Sequence, residues 1–353
     1  MKPFDYVVPA GAVPLDQVYS PTDAASIEFQ RKQRALLQFG SQSSSYFNLQ
    51  EGVRTLTLDG VGFVTYFPQA TGFGCVNIVF TNPVCDPARL PLLLRHFFQT
   101  VPGRKLFFGV DETTARALQA EGYRMNQMGT EFSIPLNEFE VAGKQKKQLR
   151  HAANLGVRHG LVVKEQPWAA IDAAEVRGIS DAWRSQKAVS GRELRLLTRP
   201  PVFSEEWGVR KFYCYQDQRL IGYVFFDPFF REGQLIGYTA NILRTWPGIR
   251  PSGVLDHILL EAIKQFQSEG VSNLSLGIAP LHGIEPVPGD RASVRTVSNW
   301  LYRNANSLYA FQALAYHKSR YRGVETPWYL CSDDISIGKT VIALLLGTRL
   351  LWK

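Results

Sequence analysis

The stretch Ser252-Gly-Val-Leu-Asp-His-Ile-Leu-Leu-Glu-Ala-Ile-Lys-Gln-Phe266 carries the strongest structural signal in the sequence. Its apolar residues recur at the spacing of one helix face, at positions 254, 255, 258, 259, 262, 263 and 266. Ser252 and Gly253 stand before this pattern and Gly270 stands after it, as at the ends of a helix. The apolar segment 274–277 then predicts a strand.

The segments before this helix have strand character. Residues 210–215, 219–226 and 234–240 are separated by short polar turns, which predicts an antiparallel meander. Two helices are predicted upstream of the meander, a basic one over 144–155 and an amphipathic one over 171–184.

The first part of the chain has the same order of elements. The pattern predicts strands, a helix, a strand, a helix and a strand, over segments 55–58, 62–66, 75–80, 86–98, 105–110, 111–118 and 123–134. No repeat is visible residue by residue, so the duplication rests on element order alone. We predict an α+β fold of two domains. The first covers residues 1–140 and includes a polar N-terminal extension, and the second covers residues 141–353.

Composition and charge limit the classes of function that the sequence supports. The 353 residues are 45% hydrophobic and 20% charged, which excludes wholesale disorder. Residues 1–140 carry 11 Lys and Arg against 13 Asp and Glu, and residues 141–353 carry 28 against 18. A second half with ten excess positive charges favours an anionic partner such as nucleic acid, lipid headgroups or a phosphorylated cofactor. A basic surface that serves only solubility is the alternative.

Several classes of protein receive no support. The four cysteines lie far apart and form no CxxC pair, and the six histidines form no metal-binding or nucleophile motif, so no metal site is expected. No signal peptide and no apolar run of 18 residues is present. These features predict a cytoplasmic protein. The apolar segment 340–347 predicts a buried terminal helix, and a helix that touches a membrane is the alternative.

Two basic segments are candidate anion sites. The loop 246–253 leads into the helix N-terminus, where free N–H groups, Ser252, Gly253 and the side chain of Arg250 favour an anion. An ordinary capped turn is the alternative. In the tail, Lys318, Arg320 and Arg322 would share one face if 317–322 formed a strand. A solvated face is the alternative there.

Five segments together resemble the catalytic domain of the aminoacyl-phosphatidylglycerol synthases, which is the phosphatidylglycerol lysyltransferase or multiple peptide resistance factor family. The resemblance runs from about residue 60 to 330, and the runs Gly-Val-Leu-Asp and Leu-Gly-Ile-Ala-Pro-Leu-His-Gly are its most specific parts. The matching segments are 144–150, 179–183, 253–257, 276–283 and 314–318 with 327–330.

This resemblance implies two tandem acetyltransferase-like (GNAT-type) folds, each with a mostly antiparallel sheet flanked by helices, and an active cleft in the second. It also implies transfer of an aminoacyl group from aminoacyl-tRNA to the hydroxyl of a phosphatidylglycerol-like lipid, without a cofactor. The protein would then be peripheral on the inner face of a membrane. An acyl-CoA-dependent N-acyltransferase and a non-catalytic module that binds anionic lipid or tRNA are the alternatives.

The family pattern carries over to this sequence only in part. Its Asp-x-x-Arg appears as Asn241 and Arg244. Its tail lysine is Lys318, but the glutamate expected eight residues later is Thr326, and Glu325 is one position early.

These matches predict roles for the site residues. Lys318 and Arg244 would bind a phosphate or oxyanion between them without acidic partners, Asn241 would orient a hydroxyl, and Glu325 would be the base. The remaining substrate-binding candidates are Arg320, Arg250, Ser252, Gly253, Lys144, Lys147 and Arg150.

Overall fold

The computed structural model describes residues 24–186, 193–196, 198–305, 310–333 and 337–350. Within these ranges the strands are β1 (Arg54–Leu58), β2 (Gly62–Thr71), β3 (Gly74–Phe80), β4 (Val84–Cys85), β5 (Arg104–Val110), β6 (Arg124–Pro135), β7 (Val162–Glu165), β8 (Arg210–Gln216), β9 (Arg219–Arg231), β10 (Gln234–Thr245), β11 (Asn273–Pro280) and β12 (Val324–Ser332). The helices are α1 (Ala24–Phe39), α2 (Leu90–Thr100), α3 (Glu112–Ala120), α4 (Lys147–Arg158), α5 (Ala173–Ser185), α6 (Val254–Ser268), α7 (Ala292–Asn304), α8 (Phe311–Ser319) and α9 (Ile337–Gly347).

The strands form one continuous sheet in the order β1-β2-β3-β5-β12-β6-β11-β10-β9-β8-β7, with β4 paired to β2. Its ladders are antiparallel except β3–β5 and β10–β11, which are parallel. A parallel pair needs a crossover connection, and α2 and α6 lie in these two connections. The α+β class, with a large, mostly antiparallel sheet flanked by helices, is therefore confirmed.

The order of the strands is symmetric about the pair β12–β6. Each half of the chain contributes a meander, a helical crossover and a parallel strand, and each half ends in a strand that pairs with the other half. The last strand of the first half, β6, pairs with β11, and the last strand of the second half, β12, pairs with β5. The two halves thus have a similar order of elements within one continuous sheet, and the division into two domains at residue 140 stays a prediction.

The helix predicted from residues 252–266 is α6, and its apolar face forms the centre of the second-half core. Phe266 stacks on Tyr238 of β10 with ring centroids 4.8 Å apart and meets Phe212 and Phe226 edge to face. Leu259 and Ile258 are fully buried. Each such side chain contributes about 1.5–3 kcal/mol through burial, so this face fixes α6 against the sheet.

Two details of the tail differ from the sequence prediction. Residues 317–319 end helix α8, and Arg320 and Arg322 lie in the turn that follows, so Lys318, Arg320 and Arg322 share no strand face. Tyr321 explains the difference, because its ring is fully buried and anchors the turn beneath α6. The apolar terminal segment forms α9, which packs on β2 and β3.

Candidate active site

A V-shaped opening in the sheet separates the outer parts of β10 and β11. These parallel strands pair over three residues only, from Gly237–Asn273 to Thr239–Ser275. Beyond that point β10 continues to Thr245 beside β9, and β11 continues to Pro280 beside β6. The splayed strands form two arms, and backbone groups of both arms are left available for other partners.

Lys318 of α8 lies against the β11 arm. Its amine donates a hydrogen bond to the backbone oxygen of Ile278 at 2.8 Å, and the residue is 8% exposed. Gly277 has φ +74°, a backbone conformation that favours glycine, and it lies next to the Lys318 amine. Burial lowers the pKa of Lys318 to about 7, although the negative charge of Glu131 opposes the shift. The amine therefore exchanges protons near neutral pH.

Glu131 is the carboxylate on this side of the opening, and sequence reasoning missed it. It lies on β6, directly opposite Thr326 of β12, and is almost fully buried. Its carboxylate accepts a hydrogen bond from Ser275, whose hydroxyl accepts the backbone N–H of Gly277 at 3.0 Å. A single acid in the middle of a predicted strand, with no other acid between residues 121 and 138, was the available signal, because buried carboxylates are rare without a partner.

Arg244 lies on the β10 arm with a carboxylate partner. Its two terminal nitrogens donate to the two oxygens of Glu193 at 2.9 and 2.6 Å, and one of them also donates to the Ser180 hydroxyl. The guanidinium lies 4.8 Å from the ring centroid of Trp183. The premise that Arg244 lacks an acidic neighbour is therefore wrong, because Glu193 approaches from a distant part of the chain. Its charge is balanced without an anion shared with Lys318.

Asn241 and Glu325 occupy different surroundings from those expected. The Asn241 amide accepts from the backbone N–H of Arg199 at 3.3 Å and donates to its oxygen at 3.1 Å, so it ties a loop to β10. The Glu325 side chain is 53% exposed and lies 3.8 Å from His282. Asn241 thus shares the β10 arm with Arg244, whereas the Glu325 side chain lies at the surface. Their predicted catalytic roles stay predictions.

A pocket of about 460 Å³ is formed by the loop that enters α6. Its lining includes the loop from Trp246 to Gly253, the start of α6, Trp183 of α5 and His317 of α8. Gly253 begins α6 with φ +85°, and a Cβ there would lie 3.0 Å from that of Ala152 in α4. A glycine is therefore required both by the backbone and by the neighbouring helix. Ser252 and Arg250 are exposed on this loop.

Asp256, in the first turn of α6, organises the floor of this pocket. Its carboxylate accepts hydrogen bonds from Arg320 at 2.9 and 3.1 Å and from the Tyr321 hydroxyl at 2.8 Å, and His317 Nε2 lies 3.1 Å away. Burial would raise the pKa of Asp256, but these donors and charges outweigh it and the pKa is lowered. Arg320 was predicted to bind substrate, but its guanidinium forms an ion pair with Asp256.

Asp256 and His317 were not assigned as site residues from the sequence. Each lies inside a segment that carries the family resemblance: Asp256 ends the run Gly-Val-Leu-Asp, and His317 precedes Lys318. The two residues are, however, 61 positions apart in the sequence. Only the packing of α8 and its following turn on α6 brings them together. His257, the next residue along, is buried against Gly156 of α4 and has a pKa lowered by burial.

The basic helix α4 borders the pocket. It packs on α6 through Ala152 and Gly253, and Gln148 hydrogen-bonds to Tyr316 of α8 at 2.9 Å. Arg150 donates to the backbone oxygens of Val141, at 3.1 Å, and Gly143.

The lysines at the start of this helix differ in their partners. Lys146 donates to the backbone oxygen of Glu140 at 2.7 Å and lies 4.1 Å from the ring centroid of Phe139. Lys144 and Lys147 are exposed. Of the predicted binding candidates in this segment, Arg150 is thus bonded to backbone oxygens, whereas Lys144 and Lys147 are presented to solvent.

The described ranges contain no group of three or more His, Cys, Asp or Glu side chains placed to hold a metal ion. Of their helices, none combines the length and the hydropathy needed to cross a bilayer.

Comparison with known sequences gives a consistent result. The family described as "Phosphatidylglycerol lysyltransferase, C-terminal" matches residues 33–332. Phosphatidylglycerol lysyltransferase of Bacillus subtilis is 22% identical over 278 residues, which are 76% of this chain and 32% of that protein. A lysylphosphatidylglycerol biosynthesis bifunctional protein of Rhodococcus opacus is 22% identical over 312 residues, 85% of this chain and 27% of that protein. The chain thus spans about a third or less of the length of these relatives.

Comparison with solved structures gives the same fold. L-PGS from Bacillus licheniformis superposes with a TM-score of 0.71 at 19% identity, over 91% of this chain and 96% of that one. A C-terminal domain from Agrobacterium fabrum, from a protein named as a lysylphosphatidylglycerol synthetase, superposes with a TM-score of 0.73 at 18% identity, over 93% and 98%. At these identities the likeness establishes the fold alone.

Proposed function

Because the chain belongs to the family of phosphatidylglycerol lysyltransferase C-terminal domains, we propose that it is an aminoacyltransferase. It would move an aminoacyl group from aminoacyl-tRNA onto a hydroxyl of phosphatidylglycerol or a related anionic lipid. The match of the family over 33–332 carries this proposal, since it includes both arms of the V-shaped opening and Lys318. The relatives are named for lysine transfer, and we propose the broader aminoacyl class for this chain.

The proposed ester exchange requires only a few contributions from the protein. Exchanging one ester for another is nearly thermoneutral, so the protein must align the acceptor hydroxyl with the ester carbonyl and transfer one proton. It must also stabilise the oxyanion of the tetrahedral intermediate. We propose Lys318 for this last role, because its buried amine lies at the β11 arm where few other charges surround it. Arg244, neutralised by Glu193, would instead shape the β10 arm.

The two substrates would approach from the basic side. Lys147 at the start of α4 and Lys144 just before it are exposed, and both tRNA and phosphatidylglycerol are anionic. Binding of the lipid would bring the protein to the inner surface of a membrane. No cofactor is required in this scheme.

The deciding experiment is an aminoacyl-transfer assay with the purified chain. It would combine tRNA charged with a labelled mixture of amino acids and vesicles of phosphatidylglycerol, followed by lipid extraction and mass spectrometry. An aminoacylated lipid that forms with the wild-type chain and not with Lys318→Met supports the proposal. Vesicle or tRNA binding without product would instead indicate a non-catalytic binding module.

The pocket beneath the α6 N-terminus favours one alternative. Its loop could accommodate a pyrophosphate, with Arg250 and the first N–H groups of α6 as donors, in which case the protein would be an acyl-CoA-dependent N-acyltransferase. Thermal stabilisation by acetyl-CoA, and none by charged tRNA, would favour this alternative.

A further inference from the structure

We infer that His317, held by Asp256, is the general base that activates the acceptor hydroxyl in the transfer reaction. The inference rests on the proposed function and deepens it, because it assigns the proton-transfer step to a named atom. Neither residue was singled out by the sequence. Both line the same pocket, and they reach it from α8 and α6 respectively.

The contact between the two side chains fixes which ring nitrogen of His317 carries a proton. Nε2 of His317 lies 3.1 Å from an oxygen of Asp256. An ionised carboxylate can only accept hydrogen bonds, so Nε2 carries the proton and the lone pair of the neutral ring lies on Nδ1. In the Ser-His-Asp triad an aspartate orients the catalytic histidine in the same way. There the aspartate bonds to Nδ1 and the base is Nε2, whereas here the two nitrogens have the opposite roles.

The carboxylate is itself held in place. Asp256 is 6% exposed, and Arg320 and the Tyr321 hydroxyl donate to it from the turn after α8. Arg320 cancels its charge, so the cluster carries no net charge while His317 is neutral. Because the Asp256 carboxylate is buried and held by these donors, it stays in place and fixes the orientation of the His317 ring. The groups that face His317 are thus Asp256, Arg320 and Tyr321, with Lys318 as its chain neighbour.

His317 is also accessible. Its side chain is 32% exposed, in contrast to that of Asp256, and His317 lines the pocket together with residues of the loop from Trp246 to Gly253. Among the described lining residues, Asp256 and His317 are the two with ionisable side chains, and Asp256 is occupied by its partners.

The other candidates for the base have less favourable surroundings. Glu325 is at the surface beside His282, and the Asn241 amide cannot accept a proton at neutral pH and is bound to the backbone of Arg199. Glu131 is buried and bonded to Ser275. Of the candidates considered, His317 is therefore the partly exposed basic side chain that lines the pocket.

The step balances without any further reactant. The acceptor hydroxyl oxygen attacks the carbonyl carbon of the aminoacyl ester, and its proton passes to Nδ1 of His317. The tetrahedral intermediate then collapses, the bond from the carbonyl carbon to the ribose oxygen breaks, and the proton passes from His317 to that oxygen. The new ester and a free tRNA 3′ end are the products, and the histidine returns to its neutral form.

The test uses variants of the full chain in the aminoacyl-transfer assay. His317→Gln keeps an N–H donor for Asp256 but has no basic nitrogen, so we expect its rate to fall about 10²- to 10⁴-fold with little change in KM or melting temperature. His317→Ala should regain part of the rate when imidazole is added. His159→Gln, an exposed histidine at the end of α4, is the matched control and should keep the wild-type rate.

The outcomes separate the two proposals. Wild-type rates for His317→Gln, or no response of His317→Ala to imidazole, would overturn the role of His317 and leave the transferase function standing. A wild-type chain that forms no aminoacyl lipid from any charged tRNA would overturn the function itself, and the role of His317 with it. If His317→Gln does not fold, His317→Asn is measured in its place by the same criteria.

Discussion

Arg244 and Glu193 form a bidentate ion pair, with the two guanidinium nitrogens donating to the two carboxylate oxygens at 2.9 and 2.6 Å. The Arg244 side chain is almost fully buried, whereas that of Glu193 is partly exposed. The pair closes the β10 arm against α5 through Ser180 and Trp183. A cation in this setting depends on its carboxylate, because removing one member of a buried pair leaves the other uncompensated.

Replacing Glu193 by Gln should therefore destabilise the protein by about 1–3 kcal/mol, since Arg244 stays charged and buried without its counterion. Urea unfolding monitored by fluorescence measures the change. The control is Glu261→Gln, which breaks the exposed pair with Lys264 and should cost less than about 0.5 kcal/mol. Equal changes in the free energy of unfolding would show that the Arg244–Glu193 pair contributes no more to stability than an exposed pair.

Lys318→Met should stabilise the folded protein at neutral and acidic pH. The pKa of Lys318 is about 7 in the folded state and about 10.4 in an unfolded chain. Below pH ~7 the folded protein holds a buried charge at full cost, and this cost disappears as the pH rises towards the unfolded pKa. The advantage of Met should be a few kcal/mol at pH 6 and vanish near pH 10.

Urea unfolding at several pH values tests this behaviour, with the exposed Lys264→Met as the control. A Lys318→Met variant whose advantage does not depend on pH would contradict the lowered pKa. The same variant should lose transfer activity despite its higher stability, which separates the role of the amine from its effect on folding.

The exposed lysines of α4 should account for the salt dependence of tRNA binding. Lys146 and Arg150 bond to backbone oxygens, whereas Lys144 and Lys147 face solvent. Each lysine that contacts a phosphate adds about 0.7–0.9 to the slope of log K against log salt. Lys144→Glu with Lys147→Glu should therefore lower the slope by about 1.4–1.8.

Filter binding of tRNA between low and moderate salt measures that slope. Reversal of Arg95 and Lys264, two exposed cations on other helices, is the matched control and should leave it unchanged. If the two double variants behave alike, α4 is a solvated face and binding depends on total charge only.

The sequence was sufficient for elements whose stability is local, and insufficient for contacts between distant segments. Helix α6 was predictable because its apolar spacing and its glycines lie within one segment. Glu131 was not, because its position beside Lys318 depends on β6 pairing with the other half of the sheet. Glu193 reaches Arg244 across 51 positions, through a segment with no periodic pattern.

The segment 317–322 shows the same limit on a smaller scale. Its alternating cations are compatible with a strand, but Lys318 and Tyr321 are the buried residues, and that spacing suits a helix followed by a turn. Local charge patterns do not reveal that Arg320 will meet a carboxylate 64 positions earlier. The parts of the site that could be predicted were therefore the residues within single motifs, and not their partners.

Asp256→Asn should destabilise the protein by about 2–4 kcal/mol at pH 7, because Arg320 and Tyr321 lose a charged acceptor in a buried site. The pKa of Asp256 is lowered in the folded state, so its stabilising effect is complete above the unfolded value of about 3.9 and is lost as the pH falls through the folded pKa. The difference between wild type and variant should thus be present at pH 5 and above and close below pH ~4. Denaturant unfolding across this range checks both statements, with the exposed Asp59→Asn as a control that should change little at any pH. A gap that persists unchanged into strong acid would show that Asp256 acts through packing and not through its charge.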